Sequence, residues 1–195
     1  MSEDASDEQL VARAQAGDDR AFDLLVRKYQ HKVVKLTARY VNPADAQDVA
    51  QEAFIKAYRA LHGFKGNSAF YTWLYRISIN TAKNHLVARS RRPASQDIDV
   101  ADAELYGHTE RFSEHDTPEA LLESEEIRNT VIHAIQTLPE DLRTAIMLRE
   151  LEGMTYEDIA QTMECPVGTV RSRIFRARAA IEQELAALAD YRKPN

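Results

Sequence analysis

The stretch CPVGTVRSRIFRAR, residues 165–178, places four arginines within eight residues of a chain whose formal net charge is −6. Before it, residues 155–163 have helical spacing, and Thr155 is a suitable N-cap for a short helix. The Glu164-Cys165-Pro166 segment ends that helix, and a longer helix is predicted from residue 167 to about 188. Two helices joined by a tight turn are the layout of a helix-turn-helix, whose second helix enters the major groove of DNA.

The predicted second helix has two different faces. At about 100° per residue, its apolar stripe consists of Val170, Ile174, Ala177 and Ile181. The opposite face carries Arg171, Ser172, Phe175 and Arg176. An arginine suits base reading because its planar guanidinium can bond O6 and N7 of guanine together. Arg173 and Arg178 fall beside the apolar stripe, where a phosphate or a local ion pair is the better partner. On this motif alone, an ordinary solvated helix face remains an alternative.

Acidic residues are concentrated in the middle of the chain. Residues 93–126 hold 11 Asp and Glu against the single basic Arg111, and the stretch from residue 91 to residue 120 lacks helical or alternating periodicity. This composition is typical of a solvated linker. A chain of 195 residues can hold one domain or two small ones. We therefore predict a first lobe at 1–92, an acidic flexible linker with the entry to the second lobe at 93–126, and a second lobe at 127–195.

Both lobes are predicted to be helical throughout, which makes the fold class all-α. Residues that favour helix starts and stops mark the expected boundaries. In the first lobe the predicted helices run from Ser6 to Gly17, from Asp18 or Asp19 to Val41, from Asn42 to about Leu61, and from Asn67 or Ser68 to Pro93. In the second lobe, helices are predicted to begin at 117–119, at 138–140 and at 155.

The fourth predicted helix offers a second candidate binding surface. One of its faces is lined by Thr72, Arg76, Asn80 and Lys83, with Trp73 at the edge. Aromatic rings beside amide and basic groups can stack on an unpaired base and bond it. Taken alone, the aromatic residues of this segment are more typical of a core, so that alternative stays open.

Other features of the sequence argue against an enzyme. The six histidines are scattered, and no nucleophile–base pair or metal-ligand spacing appears, so we predict neither a cofactor nor a metal. The only cysteine, Cys165, excludes an internal disulfide; we expect a buried turn thiol there, with a redox role as the alternative. The N-terminal residues resemble no signal peptide, and no segment reaches the roughly 18 apolar residues of a membrane helix. A cytoplasmic protein without direct membrane insertion is expected.

Five segments of the chain carry a resemblance to a known family. In chain order they are FDLLVRKYQHKV, DVAQEAFIKAYRAL, SAFYTWLYRISINTAKNHL, LPEDLRTAIMLRELEGMTYEDIA and CPVGTVRSRIFRAR. They closely resemble the extracytoplasmic-function sigma factors of bacteria, specifically the sigma-E type. The resemblance covers nearly the whole chain except the linker and the extreme termini. It implies two small helical domains, sigma-2 and a helix-turn-helix sigma-4, which attach to core RNA polymerase and read the −10 and −35 promoter elements.

The resemblance implies three sets of site residues. Contacts with the duplex −35 element are expected from Thr169, Arg171, Ser172, Arg173, Phe175, Arg176 and Arg178. Contacts with the melted −10 strand are expected from Phe64, Lys65, Asn67, Ser68, Thr72, Trp73, Arg76, Asn80 and Lys83. Core polymerase is expected to bind Asp48, Gln51 and Glu52, which without the resemblance would be ordinary solvated helix surface.

The resemblance also implies partners and regulation. The protein is expected to be a monomer in the holoenzyme, to serve envelope-stress genes, and to be inhibited by a membrane-associated anti-sigma factor. Two positions depart from the family pattern. Asn67 stands where relatives usually have an acid after the loop glycine, and Glu164 occupies a turn position where many helix-turn-helix proteins have glycine. The general role of the loop is therefore a firmer expectation than any specified base.

Two other classes of protein use parts of this pattern. A sigma mimic would bind an anti-sigma factor without touching DNA, but the intact arginine face argues against it. A conventional helix-turn-helix regulator would leave the first lobe unexplained. The acidic linker either mimics nucleic acid inside the polymerase or serves only as a tether. Because the linker repels DNA, the protein alone is expected to bind DNA poorly until polymerase holds both lobes in place.

Overall fold

The computed structural model describes residues 5–90 and 118–191, with side chains in the second range described from 124 to 190. Every regular element in these two ranges is helical, which confirms the all-α prediction. The chain divides into two compact units, one containing residues 5–90 and the other residues 118–191. Most of the predicted linker, residues 93–117, lies outside the described residues, so its flexibility stays a prediction.

Four α-helices build the described part of the first unit. They are α1 (Asp7–Gln15), α2 (Asp19–Thr37), α3 (Pro43–Ala60) and α4 (Phe70–Ser90), with a short 3-10 turn at Leu61–Gly63 between α3 and α4. Their apolar faces meet in one core, whose largest fully buried members are Leu25, Val33, Leu36, Val49, Leu61 and Leu74.

The first two helices begin at the predicted caps. The Ser6 hydroxyl accepts a hydrogen bond from the amide of Gln9, whose side chain accepts one from the Ser6 amide in return. This reciprocal pair is a capping box. Gly17, with a φ of 94°, then reverses the chain, and the Asp18 side chain accepts from the amide of Ala21 at 3.4 Å to start α2.

The prediction that α2 continues to Val41 was wrong, since α2 ends at Thr37. The Thr37 hydroxyl donates to the carbonyl of Ala46 in α3 at 2.9 Å. Its carbonyl accepts from the amides of Tyr40 and Val41, which turns the chain toward α3. Asn42 does occupy the N-cap position of α3, but its side chain makes no capping hydrogen bond.

The start of α4 also differs from its prediction. The helix begins at Phe70, so neither Asn67 nor Ser68 is the residue that immediately precedes it. The amide of Trp73 donates to the carbonyl of Ala69 at 3.2 Å, which closes the first turn. The helix α4 contacts both α2 and α3, so more than one of its faces is buried.

Four further helices build the described part of the second unit. They are α5 (Pro118–Thr137), α6 (Glu140–Glu150), α7 (Tyr156–Thr162) and α8 (Val167–Tyr191). The three predicted helix starts agree with these bounds, and the Thr155 hydroxyl accepts from the amide of Asp158 at 3.1 Å. The helix α8 continues to Tyr191, beyond its predicted end near residue 188. The core includes Met147, Leu148, Met154, Ile159, Val170 and Ile174.

Candidate nucleic-acid interface

Backbone hydrogen bonds close the turn between α7 and α8. The amide of Cys165 donates to the carbonyl of Ala160 at 3.0 Å, and the intervening Glu164 has a φ of 52°. A bond of this span around a left-handed residue is the Schellman motif, in which glycine is the usual residue. Among the described residues, Glu164 is the one non-glycine position with positive φ. The family departure noted in the sequence therefore falls on a strained position of the helix-turn-helix.

The inner face of α8 seats the helix against the second unit. Val170 and Ala177 are fully buried and Ile174 is 2% exposed, while Ile181 is half-buried. These side chains form the stripe that the helical spacing predicted. Because α8 contacts α5, α6 and α7 along its length, its orientation in the unit is fixed by packing.

The outer face of α8 is open to solvent. Its exposed residues are Arg171, Ser172, Phe175 and Arg176, and Thr169 is half-buried near the start of the helix. Phe175 is 74% exposed, so its ring contributes little to the stability of the folded unit. Guanidinium donors read guanine and an apolar ring can contact the methyl group of thymine. The face thus combines the two kinds of group that recognise base edges.

Arg173 and Arg178 form ion pairs with α6. Arg173 donates to the carboxylate of Asp141 and, at 3.3 Å, to Sγ of Cys165. Arg178 donates to Glu150 at 2.6 Å, and this hydrogen bond raises the pKa of its guanidinium. The sequence left either a phosphate or a local ion pair as the partner of each of these arginines. In the structure both arginines form local ion pairs. Cys165 itself is half-buried, which corrects the expectation of a buried thiol.

In the first unit, the loop between α3 and α4 is held at its base and exposed at its tip. The side-chain amide of Gln15 in α1 donates to the carbonyls of Leu61 and Phe64, at 2.9 and 2.8 Å. The exposed or half-exposed residues of the tip are Lys65, Gly66, Asn67 and Ser68. A loop with a fixed base presents its tip in a defined place, which suits the binding of an unpaired strand.

Phe64 connects this loop to a cluster of aromatic rings. Its ring centroid lies 5.0 Å from that of Trp73 and 6.2 Å from that of Phe70. Phe70 lies 5.8 Å from Trp73 and also 5.8 Å from Tyr29 in α2. Phe64 is half-buried, whereas Phe70 and Trp73 are buried. The cluster therefore joins the loop to the core of the first unit.

Two of the residues expected to contact the −10 strand lie in that core. Thr72 is 1% exposed and Trp73 is 9% exposed. The prediction of one exposed face from Thr72 to Lys83 was therefore wrong at its first member, because α4 packs against more than one helix of the unit. Farther along α4 the predicted face is accessible, since Asn80 is exposed and Arg76 and Lys83 are half-exposed.

A third surface lies on α3. Asp48, Gln51 and Glu52 are all exposed, and Glu52 pairs with Lys56 at 2.7 Å. The sequence reasoning missed Ile55, which is 45% exposed directly beyond them. Its spacing of four residues from Gln51 and three from Glu52 was the signal that places it on the same helix face.

A shallow groove continues this surface toward α2. Tyr58, also 45% exposed, donates to Asp19 of α2 at 2.6 Å, and this hydrogen bond raises the pKa of the phenol. Phe22 and Phe54 line the floor beside it. The surface on α3 is therefore mixed, with acidic and amide groups at one end and apolar groups at the other.

Two other site types were sought in the described parts of the chain. No group of three or more His, Cys, Asp or Glu side chains there is arranged to hold a metal ion. Nor does any helix within 5–90 or 118–191 combine the length and apolar character needed to cross a membrane. Two of the six histidines, His108 and His115, lie outside the described residues.

Family models match both units. A model of sigma-70 region 2 matches residues 25–92, and a model of sigma-70 region 4 matches residues 128–181. The RNA polymerase sigma-H factor of Pseudomonas aeruginosa is 63% identical over 183 residues, which cover 93% of this chain and 95% of that protein. The ECF RNA polymerase sigma-E factor of Escherichia coli K12 is 59% identical over 188 residues, 96% of this chain and 98% of that protein.

A solved structure extends the comparison to the fold. CnrH, determined in complex with the cytosolic domain of CnrY, aligns with a TM-score of 0.64 and 26% identity. The alignment covers 96% of this chain and 99% of CnrH. The similarity to all three proteins thus spans nearly the full length of the chain.

Proposed function

The chain belongs to the sigma-70 family, in its extracytoplasmic-function group, and from that membership we propose how its two units divide promoter recognition. It is a sigma factor, which binds core RNA polymerase, directs it to promoters and helps to open the DNA. Polymerisation is the chemistry of the core enzyme, and we propose that this chain supplies binding surfaces and no catalytic group.

The second unit reads the −35 element through the outer face of α8. The observation that carries this assignment is that four recognition-type side chains are exposed on a helix whose other side is fixed by packing. Arg171 and Arg176 bond base edges, while Ser172 and Phe175 add a hydroxyl and an apolar contact. Thr169 and the 53% exposed Arg178 lie where phosphates can be reached, and Arg173, with 18% exposure, chiefly supports the fold.

The first unit takes the unpaired −10 strand. We assign direct contact to the loop tip, including Lys65, Asn67 and Ser68, and to the accessible part of the α4 face. Thr72 and Trp73 support that surface from beneath it. Because Asn67 offers a neutral acceptor where relatives usually have a carboxylate, it repels the phosphate backbone less than an acid would.

The surface on α3 binds core polymerase. The exposed Asp48, Gln51 and Glu52 are assigned to the polymerase clamp helices, as the family resemblance implies, and Ile55 adds apolar area to the same face. An interface of charged and apolar groups is typical of reversible complexes. The protein joins the holoenzyme as a monomer.

Regulation is assigned to an anti-sigma factor. CnrH, which resembles this chain along nearly its whole length, was determined with the cytosolic domain of CnrY bound to it. We propose that a membrane-associated anti-sigma factor covers the polymerase-binding surfaces of this chain in the cytoplasm in a similar way. Its removal would then release the sigma factor to transcribe envelope-stress genes, as the resemblance to the sigma-E type implies.

Transcription in vitro tests the function directly. Purified bacterial core polymerase is given pooled genomic DNA with and without the protein, and transcript starts are sequenced. We expect protein-dependent starts that share two spaced promoter elements. If the protein binds core polymerase but yields no such starts, it is a sigma mimic instead.

One substitution tests the −35 assignment within that assay. Arg176→Ala removes an exposed guanidinium from the outer face of α8 and is expected to lower transcription from promoters with an intact −35 element by about tenfold, the effect of one good base contact. Arg128→Ala, which removes an exposed arginine from α5 of the same unit, is the matched control and is expected to have little effect. Equal losses for both variants would mean that only general positive charge matters.

A further inference from the structure

The ring of Tyr156 lies beside two guanidinium groups. The Cζ atom of Arg149 is 4.9 Å from the ring centroid, and the Cζ atom of Arg171 is 5.9 Å from it. Both distances fall within the range in which a cation is attracted to the face of an aromatic ring. Tyr156 belongs to α7, whereas Arg149 belongs to α6 and Arg171 to α8. The ring is therefore the meeting point of three helices of the second unit.

The ring and one of its cations are held in place by the fold. Arg149 is half-buried, and one of its terminal nitrogens donates to the carbonyl of Met154 at 2.8 Å. Tyr156 is the first residue of α7, and the Thr155 side chain before it exchanges hydrogen bonds with Asp158. Arg171 is the exposed member of the group, on the outer face of α8.

The contact of Arg171 differs in kind from those of its neighbours on α8. Arg173 and Arg178 bond carboxylates, which occupy guanidinium N–H groups. A ring face attracts the guanidinium without accepting its in-plane hydrogen bonds. The planar fork of Arg171 can therefore rest against Tyr156 and still present its donors to guanine.

This contact also limits the conformations that Arg171 samples. A long exposed side chain loses rotamer freedom when it binds, and a contact already present in the free protein reduces that loss. The contact therefore favours conformations in which the guanidinium stays beside the Tyr156 ring.

We propose that Tyr156 is a positioning residue for Arg171, whose guanidinium it holds ready to read a base of the −35 element. The proposal rests on the function assigned above to the outer face of α8. It adds a residue outside the recognition helix to the determinants of promoter specificity. Tyr156 acts through Arg171 and need not touch DNA.

The test compares Tyr156→Phe with Tyr156→Leu in reconstituted holoenzyme. Phenylalanine keeps the ring and is expected to keep −35-dependent promoter binding, whereas leucine is expected to weaken it by about twofold to fivefold, the effect of one exposed cation–π contact. Binding of each variant is also measured on a series of −35 elements with single base-pair substitutions. Tyr156→Leu is expected to lose discrimination at the same base pair as Arg171→Ala. Thermal unfolding of each variant shows whether the second unit stays folded.

The double variant decides between positioning and other roles. In the Arg171→Ala background, Tyr156→Leu is expected to cause no further loss, because the residue it positions is absent. An equal loss in both backgrounds would overturn the proposal, as would a loss with Tyr156→Phe that points to a direct contact of the hydroxyl. If the unmodified protein shows no −35-dependent binding, the proposed function fails. If it shows such binding and the losses from Tyr156→Leu and Arg171→Ala are additive, only the positioning role fails.

Discussion

At the scale of single residues, Glu164 illustrates how one turn can be built in two ways. At the end of α1, the amide of Asp18 donates to the carbonyl of Arg13 at 3.0 Å around Gly17, whose φ is 94°. The bond from Cys165 to Ala160 repeats that pattern around Glu164. A residue with a Cβ atom at such a φ approaches the neighbouring carbonyl and costs free energy. The helix-turn-helix therefore carries strain that the turn after α1 avoids.

We expect Glu164→Gly to be more stable than Glu164→Ala by about 1 kcal/mol, the left-handed cost less the entropy of glycine in the unfolded chain. Both substitutions remove the carboxylate, so its own interactions cancel in the comparison. Urea unfolding followed by circular dichroism measures the difference. An alanine variant as stable as the glycine variant would show that the turn relaxes around the side chain at no cost.

Trp73 offers a second comparison at this scale. Because its side chain is buried against Phe64 and Phe70, Trp73→Ala is expected to destabilise the first unit by about 3–5 kcal/mol. Trp73→Phe keeps an aromatic ring and should cost less. Thermal unfolding followed by circular dichroism measures both. A Trp73→Ala protein that unfolds like the original but no longer recognises the −10 element would instead assign the indole to DNA contact.

At the scale of elements, α8 and α4 show what the sequence could and could not predict. The faces of α8 follow from its spacing, because its aliphatic stripe lies on one side and Phe175 is the one large apolar residue on the outer face. The start of α4 has apolar and aromatic residues around most of its circumference, so the exposure of Thr72 depends on α2 and α3 rather than on the α4 sequence. The end of α2 was missed for a similar reason, since the bond from Thr37 to Ala46 joins different helices.

The candidate sites divide in the same way. The outer face of α8 and the α3 residues from Asp48 to Glu52 are exposed as their helical spacing suggested. The contact between Tyr156 and Arg171 had no signal in the sequence, because it joins residues of two helices across the turn. Pairings between elements require coordinates, whereas the faces of a single amphipathic helix do not.

Arg173 ties α8 to α6, and its removal tests that role. Arg173→Ala breaks the pair with Asp141 and the contact with Cys165, so we expect a loss of about 1–2 kcal/mol in the stability of the second unit. The exposed Arg176→Ala is the control and should change stability by less than about 0.5 kcal/mol. Hydrogen exchange of α6 and α8 measures both. Unchanged exchange in Arg173→Ala, together with weaker DNA binding, would make Arg173 a DNA contact rather than a structural one.

At the scale of the whole molecule, charge is divided by segment. Residues 1–92 hold 15 Lys and Arg against 10 Asp and Glu, and residues 127–195 hold 9 against 10. The net charge of −6 therefore comes from the segment between them. Each unit keeps its own basic surface for DNA, while the chain as a whole repels it. Binding that needs both units at once is then favoured only when polymerase holds them.

Neutralising the central segment tests this division. Residues 93–117 contain seven Asp and Glu, and changing all of them to Asn and Gln is expected to raise the affinity of the isolated protein for promoter DNA about threefold to tenfold at low salt, with a smaller gain at high salt. A variant with the same segment shuffled keeps its charge and should behave like the original. Gel-shift titrations at two salt concentrations measure the effect, and unchanged affinity would rule out electrostatic inhibition by the segment.

The ring cluster of the first unit has a spectroscopic consequence. Trp73 is the only tryptophan of the chain, and its ring lies 5.0 Å from that of Phe64, at the base of the loop assigned to the −10 strand. A strand that moves Phe64 changes the polarity around the indole and thereby its emission. The second unit contains no tryptophan to mask that signal. Binding of a single-stranded −10 oligonucleotide to the isolated protein can therefore be followed by intrinsic fluorescence, with no dye attached.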